Sequence, residues 1–573
     1  MTHIETALAR HRSGDFAAAA AAYRGILAAA PDHADAHHLL GLALLQQGTP
    51  DAALPPLRAA IALRPREPLY NANFARAALA AGDAAAAEPA LRAALTATPD
   101  DPALHHDLGL ALLRLRRSRE AEASLRRCIA LEPAAMDAYI NLAAAQCAQN
   151  RPDAAAETLD RVLAREPDNV AALCGHAAAH RAAGRPTIAA ASLRRALTLR
   201  PDDRAIAGSL GAVLRGLGDL AAALPLLEAA ATDGTADALN NLALAHTDAG
   251  HLDTAETLFT RALTLDPSHA DADYNRATAR LLAGRYREAW PGFERRWQRR
   301  GHTPPFAVTT PRWDGAPTAA HLLIHAEQGL GDTIMAARFL PRLAAPNLTV
   351  VVPQTLLALL RPLAPRANWL PLEQGIPPHD LHAALMSLPA ILDLNEAGLT
   401  APPYLRVPEH RAAPWRARLA NLPGRRIGLA WAGNPAYPGD AARSIPPALL
   451  TPLADCRDTF VSLQQGVEPP FPMTDWTAEL TDMSRTAALV AGLDLVITVD
   501  TAIAHLAGAL GRPVWLLNRF APCWRWPIGR EDNPWYPSLR QFRQPAPGDW
   551  PSVIEAVRQA LERDRLRPTG QKT

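Results

Sequence analysis

The chain has 573 residues, 58 basic and 57 acidic side chains, and a formal net charge of +1. That length exceeds what one hydrophobic core serves, and so balanced a charge excludes nucleic acid as the main ligand. Five scattered cysteines (Cys128, Cys147, Cys174, Cys456, Cys523) make no CxxC pair and no zinc-like spacing, the opening MTHIETALARHRSGDF lacks an apolar leader, and no long apolar run follows; together these predict a cytoplasmic protein with reduced thiols and no transmembrane segment.

Pro31, Pro65, Pro99, Pro133, Pro167 and Pro201 recur every 34 residues, each closing a segment such as LRAAIALRP or LRRCIALEP. Period and terminal proline are those of the tetratricopeptide repeat (TPR), in which paired helices stack into an all-α superhelix. Ten residues after the proline stands a small residue (Gly41, Gly109, Ala143, Gly211), where two helices must approach closely, and a turn follows near Gly48, Gly82, Gly184 and Gly218. After Pro201 the register slips by two residues, Asp233 replacing a proline, and resumes at Pro267. Eight or nine helix pairs are expected, with the repeat domain at 1–301.

Eight residues past each of these positions stand Asn73, Asp107, Asn141, Ser209, Asn241 and Asn275, interrupted by Leu39 and Gly175. Stacking turns such positions into a ladder of small polar groups able to bind an extended peptide backbone. The pattern resembles the asparagine ladder in the repeats of O-GlcNAc transferase. The alternative is that these amides satisfy the neighbouring helix.

All 12 tryptophans lie at or after Trp290, which marks a change of architecture. GRYREAWPGFERRW (284–297) reads as the last helix and HTPPFAVTTPRWDGAPT as an extended connection. Strands then alternate with helices: HLLIH, the turn AEQGLGD and TIMAARFLPRLA; LTVVV and LLALLRPL; NWLPL and HDLHAALMSLP. This predicts a parallel sheet in a first Rossmann-like half, 302–412. After the Pro-rich bridge APPYLRVPEHRAAPW a second half, 413–573, begins at RRIGLAWAGN and runs through TFVSLQQG to GLDLVITVDTAIAHLAGALGRPVWLLN. There a strand enters a helix at Asp500-Thr501, presenting backbone N–H groups that suit a diphosphate. Two such halves facing a cleft place ligand at the carboxyl ends of their strands.

The runs HLLIHAEQGLGDTIMAARFLPRL, RIGLAWAGNP and VDTAIAHLAGALGRPVW, with the junction GRYREAWPGFERRW and the later CWRWPIGREDNPWYPSLRQFRQ, resemble bacterial TPR glycosyltransferases whose catalytic half is similar to glycosyltransferase family 9, the heptosyltransferases. The resemblance implies a GT-B fold, a nucleotide-sugar donor held mainly by the second half, inversion at the anomeric carbon, and neither metal nor cofactor. It also gives Asp332, the aspartate of the LGD motif, the role of base.

Transfer to a hydroxyl requires a base and a cradle for the departing diphosphate. Asp332 is the candidate base with Glu327 in reserve, unless Asp332 caps a helix starting at Thr333. Gly329, Gly331, Asp500, Thr501, Ala502, Arg443 and Ser444 are the candidate diphosphate cradle; the lysine that heptosyltransferases carry near Arg443 is missing here, Lys572 being the chain's one lysine. Arg443 reads equally as a solvated loop charge. Gln464 and Gln465 sit where a base or ribose edge would reach, or form a turn. His505 joins the donor group or is a core histidine, His325 and His382 stand near strand ends on the acceptor side, and Trp431, Trp524 and Trp526 stack on a ligand or fill the core. The Asp271-Ala272-Asp273 triplet falls inside a repeat helix and GLGD lacks the Lys-Ser/Thr ending of a P-loop.

Three functional classes fit these residues. The first is a glycosyltransferase acting on a protein recruited by the repeats; the second, an inactive peptide-binding scaffold; the third, a transferase for a glycan or lipid-linked sugar.

Overall fold

The computed structural model describes residues 3–301, 308–437 and 439–566; part of the expected connection after Gly301, and Lys572, lie outside them. Contacts divide the chain into two compact units, Met1–Val213 and Leu214–Thr573. The division falls within the repeat helix Arg204–Gly216, and repeat helices occur in both units.

In the first unit the period resolves into helix pairs such as Ala34–Gln46 with Pro50–Leu63 and Pro102–Arg114 with Ser118–Leu131. A Cβ at Gly41 would run into Leu57 and one at Gly109 into Leu125, so the small residue is dictated by helix approach. The turn within each pair needs left-handed backbone: Gly48, Gly82 and Gly184 supply it at φ 76°, 84° and 74°, while Arg116 and Asn150 hold the same register position at 58°. Such a conformation costs a residue with a Cβ roughly 1–2 kcal/mol, which the buried alanine and leucine faces of the pairs outweigh.

The second unit continues with pairs such as Ala270–Leu282 and Tyr286–Phe293. Its last helix is shorter than the 284–297 span expected: past Pro291-Gly292 the chain tightens into a 3₁₀ turn, Glu294–Gln298. Two parallel sheets follow. The first holds β1 (Leu322–His325), β2 (Leu348–Val352), β3 (Asn368–Pro371) and β4 (Leu381–Ala384) in the order β3-β2-β1-β4. The second holds β5 (Arg426–Ala430), β6 (Thr459–Ser462), β7 (Thr474–Asp475), β8 (Leu495–Val499), β9 (Val514–Asn518) and β10 (Leu539–Arg543) in the order β10-β9-β8-β5-β6-β7. β1, β2, β8 and β9 are buried along their whole length, as strands covered on both faces must be.

One local reading is corrected, and one strand lies where none was expected. The expected Pro-rich bridge contains the helix Glu409–Ala420, in which burial of Ala412, Trp415 and Leu419 outweighs the hydrogen bond lost at Pro414. The polar-interrupted LRQFR forms the edge strand β10, beside β9.

The tryptophans are mostly core. Trp290, Trp313, Trp524, Trp526 and Trp535 share one cluster with both sheets, and Trp290 Nε1 donates to the Leu394 carbonyl at 2.7 Å. The last repeat helix is therefore sealed onto the first sheet's connections. Among the described residues no helix is long and apolar enough to cross a membrane.

Candidate active site

β1 ends at His325 and turns through Ala326–Gly329 into the helix Leu330–Ala337; β8 ends at Val499 and turns through Asp500-Thr501 into the helix Ala502–Ala509. These two helices, one from each sheet, pack together. At their contact Gly331 lies so near His505 that a Cβ there would stand 2.6 Å from the ring's Cδ2 and 3.4 Å from the Ala502 Cα. The first turns of both helices, each with outward N–H groups, thus lie side by side.

Asp332 occupies the third position of its helix, and Gly329 is the N-cap, so the expected helix start at Thr333 is corrected. The carboxylate takes the Gly329 N–H from within the first turn, in the manner of a capping box. It also forms an ion pair with Arg525, which comes from the loop after β9. Burial raises the Asp332 carboxyl, Arg525 pulls it back, and Asp500 adds repulsion. Arg525 further donates to Gln328 Oε1 at 3.1 Å and Cys523 Sγ at 2.7 Å and stacks 4.4 Å over the Trp524 ring.

Glu327 is placed differently. Its side chain is 3% exposed and accepts from Arg296 Nε and Nη2 at 3.1 and 2.8 Å. Arg296 also holds Ser387 Oγ at 2.7 Å and Glu294 Oε1 at 2.5 Å. Burial pushes the Glu327 carboxyl up to about 7 against the pull of Arg296. Of the two candidate bases, Asp332 lies beside the Asp500 turn and keeps partial exposure, while Glu327 is sealed into the junction with the repeats.

On the second sheet, Thr501 is the N-cap of its helix and its hydroxyl lies 3.2 Å from Thr498 Oγ1. Arg443 is not a solvated charge: Nη1 donates to the Asp500 carbonyl and Nε to Asp440 Oδ1, both at 2.9 Å, fixing the turn where the diphosphate was expected. Ser444 Oγ donates to Asp440 Oδ2 at 2.8 Å and accepts the Gly433 N–H at 3.0 Å.

The glutamines brace the backbone, as the turn-forming alternative has it. Gln464 Oε1 accepts the N–H groups of Trp431 and Ala432 at 3.1 and 2.9 Å, and Gln465 Nε2 donates to the Leu480 carbonyl at 2.6 Å. Backbone groups left orphaned past the end of β5 need such partners. His505 is buried with Nδ1 3.0 Å from Tyr536 Oη, and burial holds its ring neutral. It therefore shapes the contact between the two helices by packing. Trp431 and Trp526 are fully buried core residues, and Trp526 lies 5.1 Å from the His505 ring.

His325 and His382 line a cavity of about 400 Å³ with Trp297, Arg312 and Trp313, their rings 5.9 Å apart; burial lowers His325 to about 4 and lowers His382 too. Asp271 and Asp273, in the helix Ala270–Leu282, ion-pair with Arg299 and Arg276. Among the described residues no group of three or more His, Cys, Asp or Glu side chains is arranged to hold a metal ion.

In the repeats, Asn73 and Asn275 are buried and point at the preceding repeat, where Nδ2 donates to His38 Nε2 at 2.8 Å and to Asn240 Oδ1 at 2.9 Å. These two are corrected from groove-lining to inter-repeat ties. Asn141 Nδ2 donates to His106 Nε2 at 3.0 Å, Asp107 pairs with Arg76 at 3.4 Å, and Ser209 donates to its own helix at Ala205. Asp107, Asn141 and Asn241 are half-buried and Ser209 is exposed.

Residues 477–544 match the glycosyltransferase family 9 (heptosyltransferase) model, residues 4–68, 72–117, 174–238 and 240–302 one tetratricopeptide repeat model, and 112–176 a second. FlbA of Caulobacter vibrioides is 30% identical over 398 residues; the match covers 62% of this chain and spans 66% of FlbA's length. Among solved structures, a tetratricopeptide repeat protein from Parabacteroides merdae is 15% identical with a TM-score of 0.38, covering 42% of this chain and 97% of that one. MamA from Desulfovibrio magneticus is 18% identical with a TM-score of 0.28, covering 29% and 94%. The chain carries tetratricopeptide repeats and, over residues 477–544, a segment similar to glycosyltransferase family 9 (heptosyltransferase).

Arg525 and Arg296 complete the site and were not singled out as site residues from sequence, although CWRWPIG and FERRW had been read as part of the resemblance. Arg525 between Trp524 and Trp526, and Arg296 next to Trp297, offered an arginine–tryptophan neighbourhood as the signal.

Proposed function

We propose that the chain is a glycosyltransferase of GT-B architecture that moves a sugar, with inversion and without metal, from a nucleotide-sugar to a protein hydroxyl presented by the repeats. The observation that carries this reading is the juxtaposition of Asp332 on one helix start with the Asp500-Thr501 turn at the other. The acceptor oxygen attacks the anomeric carbon as the bond to the diphosphate oxygen breaks. Asp332 takes the hydroxyl proton, and the leaving diphosphate's charge falls on the N–H groups of Thr501 and Ala502 and the first-turn dipole. Arg443 serves by holding the Asp500 carbonyl away from that charge, and Gly329 and Gly331 let the first half's turn approach closely.

TPR architecture is a protein-binding one, and Asp107, Asn141, Ser209 and Asn241 keep enough exposure to meet a peptide; this favours a protein acceptor over a glycan or lipid. The test is incubation of the purified chain with each common nucleotide-sugar, EDTA present, followed by release of nucleotide diphosphate. One clear donor preference supports the transferase. Response to none, with peptide binding intact, establishes the scaffold instead.

A further inference from the structure

A cavity of about 740 Å³ adjoins the proposed diphosphate cradle and shares Ser444 with it. One wall is the repeat turn Leu217–Leu220; the other is made by the loops after β9 and β10, with Phe520, Gln544 and Trp550. Turn and loop touch, since a Cβ at Gly218 would stand 3.4 Å from Pro547 Cβ. Its charges are partly cancelled: Arg215 and Asp248 pair at 2.7 Å. What remains, beside the Arg519 side chain, is a slot with Phe520 and Trp550 on one wall and one buried, unpartnered amide group.

That group is the Gln544 amide. Its Oε1 accepts two backbone N–H groups, from Phe520 and Gly548, each at 3.1 Å. Both donors demand an oxygen, so the amide cannot be turned over, and its Nε2 is left buried without a partner. Buried polar groups of this kind are normally satisfied. Gln544 therefore offers the cavity a donor and nothing else.

We infer that this cavity is the subsite for the donor's nucleoside, that Gln544 selects a base whose edge carries a ring carbonyl, and that the repeat turn is part of the donor site. The inference rests on the nucleotide-sugar reading above. A base stacks on the wall formed by Phe520 and Trp550, and a ring carbonyl accepts the unpaired N–H; adenine would set its exocyclic amine, donor against donor, in the same place. The substrate class is thus a uridine, guanosine or cytidine diphosphate sugar.

The test is calorimetric titration of the full chain with UDP, GDP, CDP, ADP and inorganic pyrophosphate. One carbonyl-bearing nucleotide should bind at least about tenfold more tightly than ADP. Gln544→Glu keeps an oxygen for both backbone donors and removes the amide N–H; it should weaken that nucleotide by about tenfold and leave pyrophosphate unchanged. Leu217, 42% exposed on the repeat turn, gives a second variant that spares the core: Leu217→Trp crowds the cavity and should produce the same pattern. Tightest binding of ADP, or unchanged nucleotide affinity in both variants, overturns the inference and leaves the transferase reading standing. Failure of the parent chain to bind any of the nucleotides overturns both.

Discussion

Arg525 reaches from the loop after β9 to the carboxylate of Asp332 at the end of the first strand-turn-helix, so a cation of one half pulls down the carboxyl that burial raises in the other. The pair ties the position of the proposed base to closure of the two halves. Asp332→Asn keeps the side chain's shape and removes its basicity. Transfer should fall by at least about a hundredfold while affinity for the nucleotide diphosphate, measured by calorimetry, stays within about twofold.

Removal of the cation gives an independent readout. With Arg525→Met the Asp332 carboxyl loses its stabilising partner and keeps the burial that raises it, so its pKa moves further up. The base is active when ionised. The acidic limb of the pH–rate profile should therefore shift to higher pH, and an unshifted limb would show that Asp332 does not titrate in the rate-determining step.

Glu327 makes a prediction about stability. Its carboxyl is raised to about 7 in the fold, above its ordinary value of about 4.3. A raised acid binds its proton more tightly folded than unfolded, so its contribution is fully present at low pH and is lost as pH rises through about 7. Glu327→Gln removes this titration. Relative to that variant, the parent should lose on the order of 2–3 kcal/mol between about pH 4.5 and pH 8 in denaturant melts.

The contact between halves is sterically exact enough to test with one methyl group. Gly331→Ala places a Cβ against the His505 ring, and overpacking of this kind costs about 1–3 kcal/mol. Melting temperature and transfer rate should both drop. Gly329→Ala, with only Asp332 Oδ2 near its Cβ at 3.6 Å, should be milder.

Along the repeats, Asn73→Ala leaves the buried His38 ring without its partner and should cost about 1–3 kcal/mol in a chemical melt. Ser209→Ala removes an exposed hydroxyl bonded to its own helix and should change stability by less than about 0.5 kcal/mol. If the repeats bind the acceptor, Asn241→Ala should weaken acceptor binding with donor hydrolysis unchanged.

The repeat period was readable because helix pairs announce themselves locally, through proline, a small residue and a turn at fixed offsets. The turns at Arg116 and Asn150 show that register alone carried the reading where glycine was missing. The strands LTVVV and VWLLN were readable for a similar reason, being uninterrupted apolar runs between turn signals. β10 was not, because an edge strand need not be apolar on both faces. The site divides the same way. Asp332 and the Asp500-Thr501 turn belong to strand-turn-helix patterns, whereas the Arg525–Gln328 contact joins residues 197 positions apart and the Glu327–Arg296 contact joins residues 31 apart across two architectures. Gln464 and Gln465 stayed ambiguous because a polar residue past a strand end looks the same whether it greets a ligand or the protein's own backbone.

Gly331 and His505 occupy what is nearly the same space. Exchanging either half for that of a relative, to graft a new donor or acceptor preference, would require carrying this glycine and this imidazole together as one cassette, with Tyr536 behind the ring to hold it. Hybrids that respect the pairing should assemble, and those that import a larger residue at 331 should open along the seam where sugar transfer is proposed.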